Sequence, residues 1–386
     1  MKTSSLPLVE YMSSIFVNVR LDNTLVIACQ HILPTNYPMF NLLFDKGLKP
    51  ENTFILGKCY STEPNTLKLF IRRGVKIPKF SNYFDSHKSF DKEYEDHVRK
   101  FFLSIINKKN LNNYKKIILI DDGGFLIETA HKLLKNFKKL VGVEQTSSGY
   151  EKIKNINLKF PVINVARSQT KLKYESPIIA RQFIRNFNYE LKKLNRFPKS
   201  ILLLGYGIIG KAIKNKLKKK YLIKIYDPLS DKSDFKSFES LKERVNKFDV
   251  IIGCTGRNSM PVSFYGSLKK GAILVSSSSS DREFDAPHLR MLIERYTNCH
   301  DNARIRDIIL LNSGFPLTFT KYSWGAEGKR IQLTRALIFS AVCLSQDKEY
   351  SSRVIELDLV VQKIILDKFL ELNLGKAKSE RTSRNY

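Results

Sequence analysis

Short apolar runs rich in β-branched residues alternate with longer amphipathic stretches in the first part of the chain. These runs occupy residues 24–29, 53–59, 115–122, 138–145 and 160–166. Roughly ten or more residues with helical spacing of apolar positions follow each run. Uniformly apolar runs separated by amphipathic helices are typical of buried parallel strands joined by crossover helices. The pattern therefore predicts a doubly wound α/β domain.

A second series of the same kind begins after an amphipathic helix predicted over residues 176–197, which ends before a proline and is a plausible hinge. Its runs occupy residues 200–207, 222–228, 249–256, 271–280 and 307–314. Two further helices are predicted over residues 332–346 and 354–373. For 386 residues, two doubly wound Rossmann-like domains are the simplest architecture.

The net charge of +29 is concentrated in lysine-rich stretches such as residues 211–220. Such a surface could attract nucleic acid or an anionic membrane. The sequence contains no RNA- or DNA-reading motif, and its aromatic residues are not interleaved with the basic runs as a stacking pattern requires. Nucleic acid therefore remains a possible partner that we do not favour, and the charge is left unassigned.

The five cysteines lie far apart and form no CxxC pair. This usage argues for a reducing compartment and against a disulfide framework or a thiolate metal site. The six histidines show no metal-ligand spacing, so no metal is expected. The sequence has neither a signal-peptide pattern nor an apolar run of about 18 residues, and it predicts a cytoplasmic protein without a membrane partner.

A glycine-rich turn follows the apolar run at 200–204. Gly205, Gly207 and Gly210 have the GxGxxG spacing that allows a tight turn, close approach of a pyrophosphate and close helix–strand packing. Asp227 stands roughly 20 residues further on, at the end of the next predicted strand. An acid there can bind both ribose hydroxyls of NAD, so the sequence predicts NAD as the cofactor.

Seven segments, in order along the chain, resemble adenosylhomocysteinase, the NAD-dependent hydrolase of S-adenosylhomocysteine. They are CQH (29–31), ILIDDGG (118–124), GVEQTSSG (142–149), INVARSQTKLKYES (163–176), GYGIIGK (205–211), CTGRN (254–258) and LLNSG (310–314). The resemblance covers roughly residues 20–345, and the DDGG and TKxK segments are fairly specific to that family.

The resemblance implies a domain organisation and a reaction. It implies a substrate domain in residues 1–182, an NAD-binding domain in 183–330, helices in 331–373 that return to the substrate domain, and a tail in 374–386. In that family tightly held NAD oxidises a ribose 3′-hydroxyl, which acidifies the neighbouring C4′ hydrogen so that the 5′ substituent can leave and water can add. A nucleoside substrate and a homo-oligomer, either a dimer or a tetramer, are implied as well.

The family's roles fall on a small set of residues in this chain. By resemblance, Lys171 and Glu175 act at the 3′-hydroxyl, and His31 with Asp121 or Asp122 transfers protons at C4′ and C5′. Gln145 and Ser176 fall on substrate-binding positions. The resemblance and the glycine motif together place the cofactor on Ser147, Ser148, Gly205, Gly207, Ile208, Ile209, Gly210, Asp227, Thr255, Gly256, Asn258, Ser278, Ser279 and Asn312.

Several of these positions depart from the family. Gln145 replaces a glutamate that holds the ribose hydroxyls, Ser176 an asparagine near the reacting centre, and Ser279 a histidine. These changes predict a substrate other than S-adenosylhomocysteine. A degenerate NAD-binding homologue with a regulatory or partner-binding role is the alternative. A 2-hydroxyacid dehydrogenase ranks last, because no convincing arginine and Glu/His relay stands at the expected places.

Overall fold

A computed structural model describes the backbone of residues 5–134, 138–293, 298–324, 328–347, 350–351 and 353–382. The strands are β1 (Thr24–Cys29), β2 (Thr53–Leu56), β3 (Lys116–Asp121), β4 (Leu140–Glu144), β5 (Val162–Asn164), β6 (Ser200–Leu204), β7 (Leu222–Tyr226), β8 (Val250–Gly253), β9 (Ile273–Ser276), β10 (Ala303–Ile305), β11 (Ile308–Leu310), β12 (Phe319–Thr320), β13 (Ser323–Trp324) and β14 (Val354–Glu356). The α-helices are α1 (Pro7–Ile15), α2 (Asn36–Asp45), α3 (Pro64–Arg73), α4 (Phe90–Ile106), α5 (Phe125–Leu133), α6 (Ser147–Ile153), α7 (Gln169–Lys193), α8 (Ile208–Leu217), α9 (Phe238–Lys242), α10 (Ala286–Met291), α11 (Gly328–Asp347) and α12 (Leu359–Thr382).

Two six-stranded sheets organise these elements. The first has the order β14-β5-β4-β3-β1-β2, and all of its neighbouring strands are parallel. The second has the order β10-β11-β9-β8-β6-β7, with only the β10–β11 pair antiparallel. The predicted α/β class with two Rossmann-like sheets is confirmed. In each sheet the strand order reverses between two adjacent parallel strands, β1 and β3 in the first and β6 and β8 in the second. Ligands of open α/β sheets bind at such switch points.

Both faces of the first sheet are covered, which explains why its strands are apolar throughout. In β1, Val26 and Ala28 pack into the cluster that includes α1, α2 and α11. Leu25 and Ile27 point to the other face, into the cluster that includes α4 and α5. Alternate side chains of a strand point to opposite faces, so a strand covered on both faces needs apolar residues at every position.

Helix α7 connects the two sheets. It begins earlier than the predicted helix 176–197, because the Ser168 hydroxyl accepts the Lys171 N–H at 3.3 Å and caps the first turn. The helix continues through Pro177 and across the expected boundary at residue 182. The domain boundaries stay a prediction. None of the described helices combines the length and the apolar character that crossing a membrane requires.

The helix predicted over residues 354–373 is wrong at its start. Val354 pairs with Val162, so residues Val354–Glu356 form an edge strand of the first sheet. The Asp358 carboxylate then accepts the Val360 N–H at 2.9 Å and opens α12. That helix continues to Thr382, into the expected tail, and residues 383–386 lie outside the described residues. The short strands β10, β12 and β13 were not predicted either.

Candidate active site

The carboxyl ends of β1 and β3 bring His31 and Asp122 together at the first switch point. The His31 Nε2 atom lies 3.3 Å from the Asp122 Oδ2 atom, and Nδ1 lies 2.5 Å from the Ser61 hydroxyl. Burial lowers the pKa of His31 below its ordinary value, although the Asp122 carboxylate opposes this shift. A neutral imidazole at pH 7, held between a hydroxyl and a carboxylate, is suited to accept and pass on a proton.

Asp122 is fixed as a carboxylate by three side chains. The Lys58 ammonium contacts its carboxylate and donates to its main-chain oxygen at 2.7 Å, while the Gln145 amide donates to the other carboxylate oxygen. Burial alone would raise the pKa of Asp122, but Lys58 and His31 hold it well below its usual range. Asp122 is therefore ionised at neutral pH and lies in contact with the His31 imidazole.

Asp121 faces the other way and shapes the loop. Its two carboxylate oxygens accept the backbone N–H groups of Asp122 and Ile127, at 2.8 and 2.9 Å. Burial raises its pKa to about 6. The two adjacent aspartates, which the sequence could not tell apart, have different environments: one faces His31 and the other holds the backbone that follows β3.

Glu144, at the end of β4, also supports this loop. Its carboxylate accepts the N–H groups of Gly124 and Thr146, at 2.9 and 2.6 Å. Gly124 has a φ of +76°, and a Cβ there would come within 3.0 Å of the Gly149 carbonyl oxygen. The second glycine of the DDGG segment, Gly124, is thus needed for a left-handed turn that packs closely against α6.

Lys171 and Glu175 form an ion pair one turn apart on α7. Lys171 Nζ lies 2.7 Å from Glu175 Oε2, and the Thr334 hydroxyl of α11 donates to Glu175 Oε1 at 2.7 Å. Lys171 is buried, whereas Lys173, two residues further on, is exposed. Ser176 follows Glu175 and is half-buried. Lys171 therefore lies on the buried side of α7, and Lys173 lies on its exposed side.

Arg335 on α11 is buried near both groups. Its guanidinium contacts the Thr35 hydroxyl through Nε at 3.5 Å, and the charges of Asp122 and Glu175 act on it. Burial lowers its pKa to about 10, so it remains a cation at neutral pH. Arg335 was not predicted, although a single arginine inside the apolar run QLTRALIF is a signal that could have identified it.

The glycine loop after β6 leaves an open cradle at the start of α8. Gly205 has a φ of +93°, and a Cβ on Gly210 would come within 2.3 Å of the Gly205 carbonyl oxygen. No atom of the described residues lies within 4 Å of a Cβ built on Gly207, and Ile208 beside it is 52% exposed. Two glycines thus close the turn, and the middle one faces free space in which a phosphate can approach the helix N-terminus.

Asp227 lies beside this cradle. Its oxygens accept the N–H groups of Tyr206 at 2.6 Å and Leu229 at 2.9 Å. Each carboxylate oxygen can accept a further hydrogen bond, so the ribose hydroxyls of a dinucleotide can still be bound. The open cradle and the acid beside it fit an NAD molecule.

The loops after β8 and β9 meet at a buried glutamate. Glu283 accepts the Gly256 N–H at 2.8 Å, the Thr255 N–H at 2.6 Å and the Ser278 hydroxyl at 2.7 Å. Three predicted cofactor residues are therefore held on one carboxylate that the sequence analysis missed. The other predicted residues of these loops, Asn258 and Ser279, are exposed.

Asn312 connects the second sheet with the first switch point. Its side-chain amide donates to the Phe319 carbonyl at 2.8 Å and to the Pro316 carbonyl at 3.2 Å. The Phe319 ring lies 4.8 Å from the His31 ring. Asn312 thus fixes the segment that covers His31, which is a supporting role in this structure.

The predicted site residues fall into separate groups. His31, Asp122 and Gln145 form one cluster, Lys171 and Glu175 form a pair, and the charges of Asp122 and Glu175 both act on Arg335. Another group comprises the glycine loop with Ile208, Ile209 and Asp227. Ser147 and Ser148 begin α6, the first exposed and the second 3.3 Å from the Thr146 hydroxyl. The roles assigned to all of these residues stay predictions.

Comparisons with known proteins give one clear relationship. The uncharacterized protein Rv0104 of Mycobacterium tuberculosis strain H37Rv is 37% identical over 368 residues, which are 92% of this chain and 71% of that protein. The uncharacterized protein MT0113 of strain CDC 1551 matches with the same identity and coverage. No protein-family model matches the chain.

Solved structures with a similar fold are more distant. A dipicolinate synthase structure from Bacillus halodurans has a TM-score of 0.43 at 11% identity, covering 85% of this chain and 98% of that one. NAD⁺-bound 3-phosphoglycerate dehydrogenase from Entamoeba histolytica has a TM-score of 0.39 at 14% identity, covering 76% and 96%. The resemblance to adenosylhomocysteinase stays a prediction.

Proposed function

The chain belongs to the same family as the mycobacterial protein Rv0104, and for this member we propose an NAD-dependent enzyme that transiently oxidises the 3′-hydroxyl of an adenosine-type nucleoside and then eliminates or adds at the neighbouring carbons. One observation carries the proposal: the Lys171–Glu175 pair, 2.7 Å apart, and the His31–Asp122 pair at the first switch point both hold a carboxylate whose charge acts on the buried Arg335. This arrangement offers two separate proton-transfer couples in one site.

The cofactor belongs at the second switch point in this proposal. Gly205, Gly207 and Gly210 would cradle its pyrophosphate, and Asp227 would accept its ribose hydroxyls. NAD, when bound, supplies the oxidising equivalent for the hydroxyl, and the protein supplies position and proton transfer.

The Lys171–Glu175 couple serves the hydroxyl that is oxidised. Lys171 binds this hydroxyl and takes up its proton while passing one of its own to the Glu175 carboxylate, which holds Nζ in place. The Thr334 hydroxyl fixes the remaining carboxylate oxygen of Glu175, so the couple has one orientation. Burial of Lys171 favours the exchange of its proton with a substrate over exchange with bulk water.

The His31–Asp122 couple serves the carbon next to the oxidised centre. A C–H bond beside a carbonyl is far more acidic than one in an intact sugar, so a neutral imidazole is a sufficient base. His31 is neutral at pH 7, and Asp122 is the fixed carboxylate that stabilises its protonated form. Phe319 packs against the imidazole ring and covers part of it.

The experiment is an absorbance spectrum of the purified, NAD-loaded chain before and after addition of adenosine. We expect the band of reduced nicotinamide to appear. Lys171→Met should abolish this band, because the hydroxyl proton then has no acceptor. Lys173→Met, which removes an exposed lysine two residues away, should leave the band unchanged.

Two results would contradict the proposal at different levels. If Lys171→Met still forms reduced nicotinamide, the assignment of Lys171 is wrong. If the wild-type chain forms none with adenosine or other nucleosides, although NAD is found in the denatured extract, the oxidation itself is wrong. The alternative of a degenerate homologue that binds NAD and a macromolecular partner would then take its place.

A further inference from the structure

Arg335 is a buried cation that pairs with no carboxylate among the described residues. Its side chain is 3% exposed, and its only hydrogen bond in the described part of the chain is the 3.5 Å contact with Thr35. The terminal nitrogens of its guanidinium make no hydrogen bond or ion pair with any described residue. A buried guanidinium normally pairs with a carboxylate or a set of carbonyl oxygens, as Arg290 does with Asp281.

The two carboxylates whose charges act on Arg335 are already paired with other cations. Asp122 binds Lys58, and Glu175 binds Lys171 at 2.7 Å. Each of these carboxylates is therefore neutralised by a lysine. Among the described residues, the guanidinium of Arg335 is left without a carboxylate paired to it.

We propose that Arg335 binds an oxyanion group of the substrate, a carboxylate or a phosphate, at the first switch point. A guanidinium presents its N–H donors as a planar fork that matches either group with two parallel hydrogen bonds. The ligand thereby completes the charge balance that the protein leaves open. This inference rests on one part of the proposed function, namely that the His31–Asp122 cluster is the substrate site. It restricts the substrate to a molecule that carries an oxyanion.

The charged side chains around Arg335 also favour an oxyanion as the ligand. Lys58 and Lys171 pair with the two neighbouring carboxylates, so an anion that approaches Arg335 meets carboxylates that are already neutralised. His31 is neutral at pH 7 and adds no repulsion or attraction of its own. An uncharged ligand group would leave the guanidinium without its counter-ion.

The test is the thermal unfolding of the full chain, saturated with NAD so that the glycine loop is occupied. Sodium phosphate and sodium acetate are compared with sodium chloride at equal ionic strength. We expect one of the oxyanions to raise the Tm of the wild-type chain by about 2 °C at tenfold its Kd. The more effective salt identifies the kind of oxyanion.

Variants separate binding from structure. Arg335→Met should abolish the oxyanion-dependent rise in Tm, whereas Arg72→Met, which removes an exposed arginine on α3, should keep it. In sodium chloride alone, Arg335→Met should unfold at the same temperature as the wild type or higher, because an unpaired buried charge is removed. Arg335→Lys should retain part of the rise.

Two outcomes would overturn the inference. One is an Arg335→Met variant that unfolds at a lower temperature in sodium chloride and keeps the rise with oxyanions, which indicates a structural arginine. The other is a wild-type chain that no oxyanion stabilises. Because the readout is unfolding, a failure of nucleoside oxidation leaves this test unaffected, and each proposal can fail separately.

Discussion

At the switch point of the first sheet, the side chains of Lys58, Asp122 and Gln145 make the site, whereas at the switch point of the second sheet the backbone of Gly205 and Gly207 makes it. The first site buries ionised groups that must each find a partner. The second is an open turn whose donors are backbone N–H groups at the start of α8. The two sites therefore respond differently to the same kind of change.

The two kinds of site therefore require different residues. A backbone cradle needs glycines at fixed spacing and little else, since the helix N-terminus supplies the attraction for phosphate. A site of buried charges needs several long-range partners at once, since removing one leaves another unpaired. The first site should therefore be sensitive in stability, and the second in ligand affinity.

The largest expected effect is that of Lys58→Met at the first site. The substitution leaves the ionised Asp122 buried without its cation, which should lower the free energy of unfolding by about 3–5 kcal/mol. Urea unfolding of the two chains measures this difference. Adding Asp122→Asn to Lys58→Met removes the stranded charge and should restore at least half of the loss. A double variant no more stable than Lys58→Met would contradict the charge pairing.

The next effect is the pH dependence of stability near neutral pH, which one aspartate of the first sheet should show and one aspartate of the second should not. Burial raises the pKa of Asp121 to about 6, above its unfolded value near 4, so its folded form holds a proton that its unfolded form has lost. Its contribution to stability is thus present below pH 4 and lost as the pH rises through 6. The free energy of unfolding of the wild type, minus that of Asp121→Asn, should fall by about 2 kcal/mol from pH 4 to pH 7.

Asp249 of the second domain is compared with Asp121, because its pKa is shifted in the opposite direction. Burial opposes its ionisation, but Lys269 and the N–H groups of Lys199 and Ser200 lower its pKa to about 2. Its stabilisation is present above pH 4 and lost as the pH falls toward 2. The difference between wild type and Asp249→Asn should therefore stay constant from pH 5 to pH 7. If the two differences change in parallel, the contrast between the domains is wrong.

The backbone site could be predicted from the sequence, and the side-chain site only in part. The glycine motif is local, and its strand, turn and helix follow one another directly along the chain. The doubly wound arrangement of both sheets was predicted for a similar reason, because apolar runs alternate with amphipathic helices. The edge strand Val354–Glu356 was missed because its partner, β5, lies far away in the sequence.

At the first site the residues that carry charge come from distant segments. His31 and Asp122 were found by resemblance and lie at adjacent strand ends, but Lys58 and Arg335 were missed because only the folded chain brings them to Asp122. The separate environments of Asp121 and Asp122 were also invisible in the sequence, since both are aspartates at the end of the same strand. Identifying a buried ion requires knowing its partner.

The smallest expected effect on stability is that of Gly207→Ala. This substitution separates ligand affinity from stability most clearly, because it should leave stability unchanged. Gly207→Ala adds a Cβ into space where no described atom lies within 4 Å, at a φ of −68° that alanine adopts readily. The free energy of unfolding without NAD should therefore change by less than about 0.5 kcal/mol. If NAD uses that space, its Kd should rise about tenfold, which corresponds to about 1.4 kcal/mol. Titration calorimetry with NAD and urea unfolding measure the two quantities.

Gly210→Ala is the counterpart that separates the two glycine roles. Its Cβ would come within 2.3 Å of the Gly205 carbonyl oxygen, so the turn must shift, at about 1–3 kcal/mol in stability and with weaker NAD binding as well. If Gly207→Ala binds NAD as tightly as the wild type, the open space above Gly207 does not face the cofactor. The second switch point would then be a turn that closes helix on strand, and the contrast in ligand affinity between the two sites would disappear.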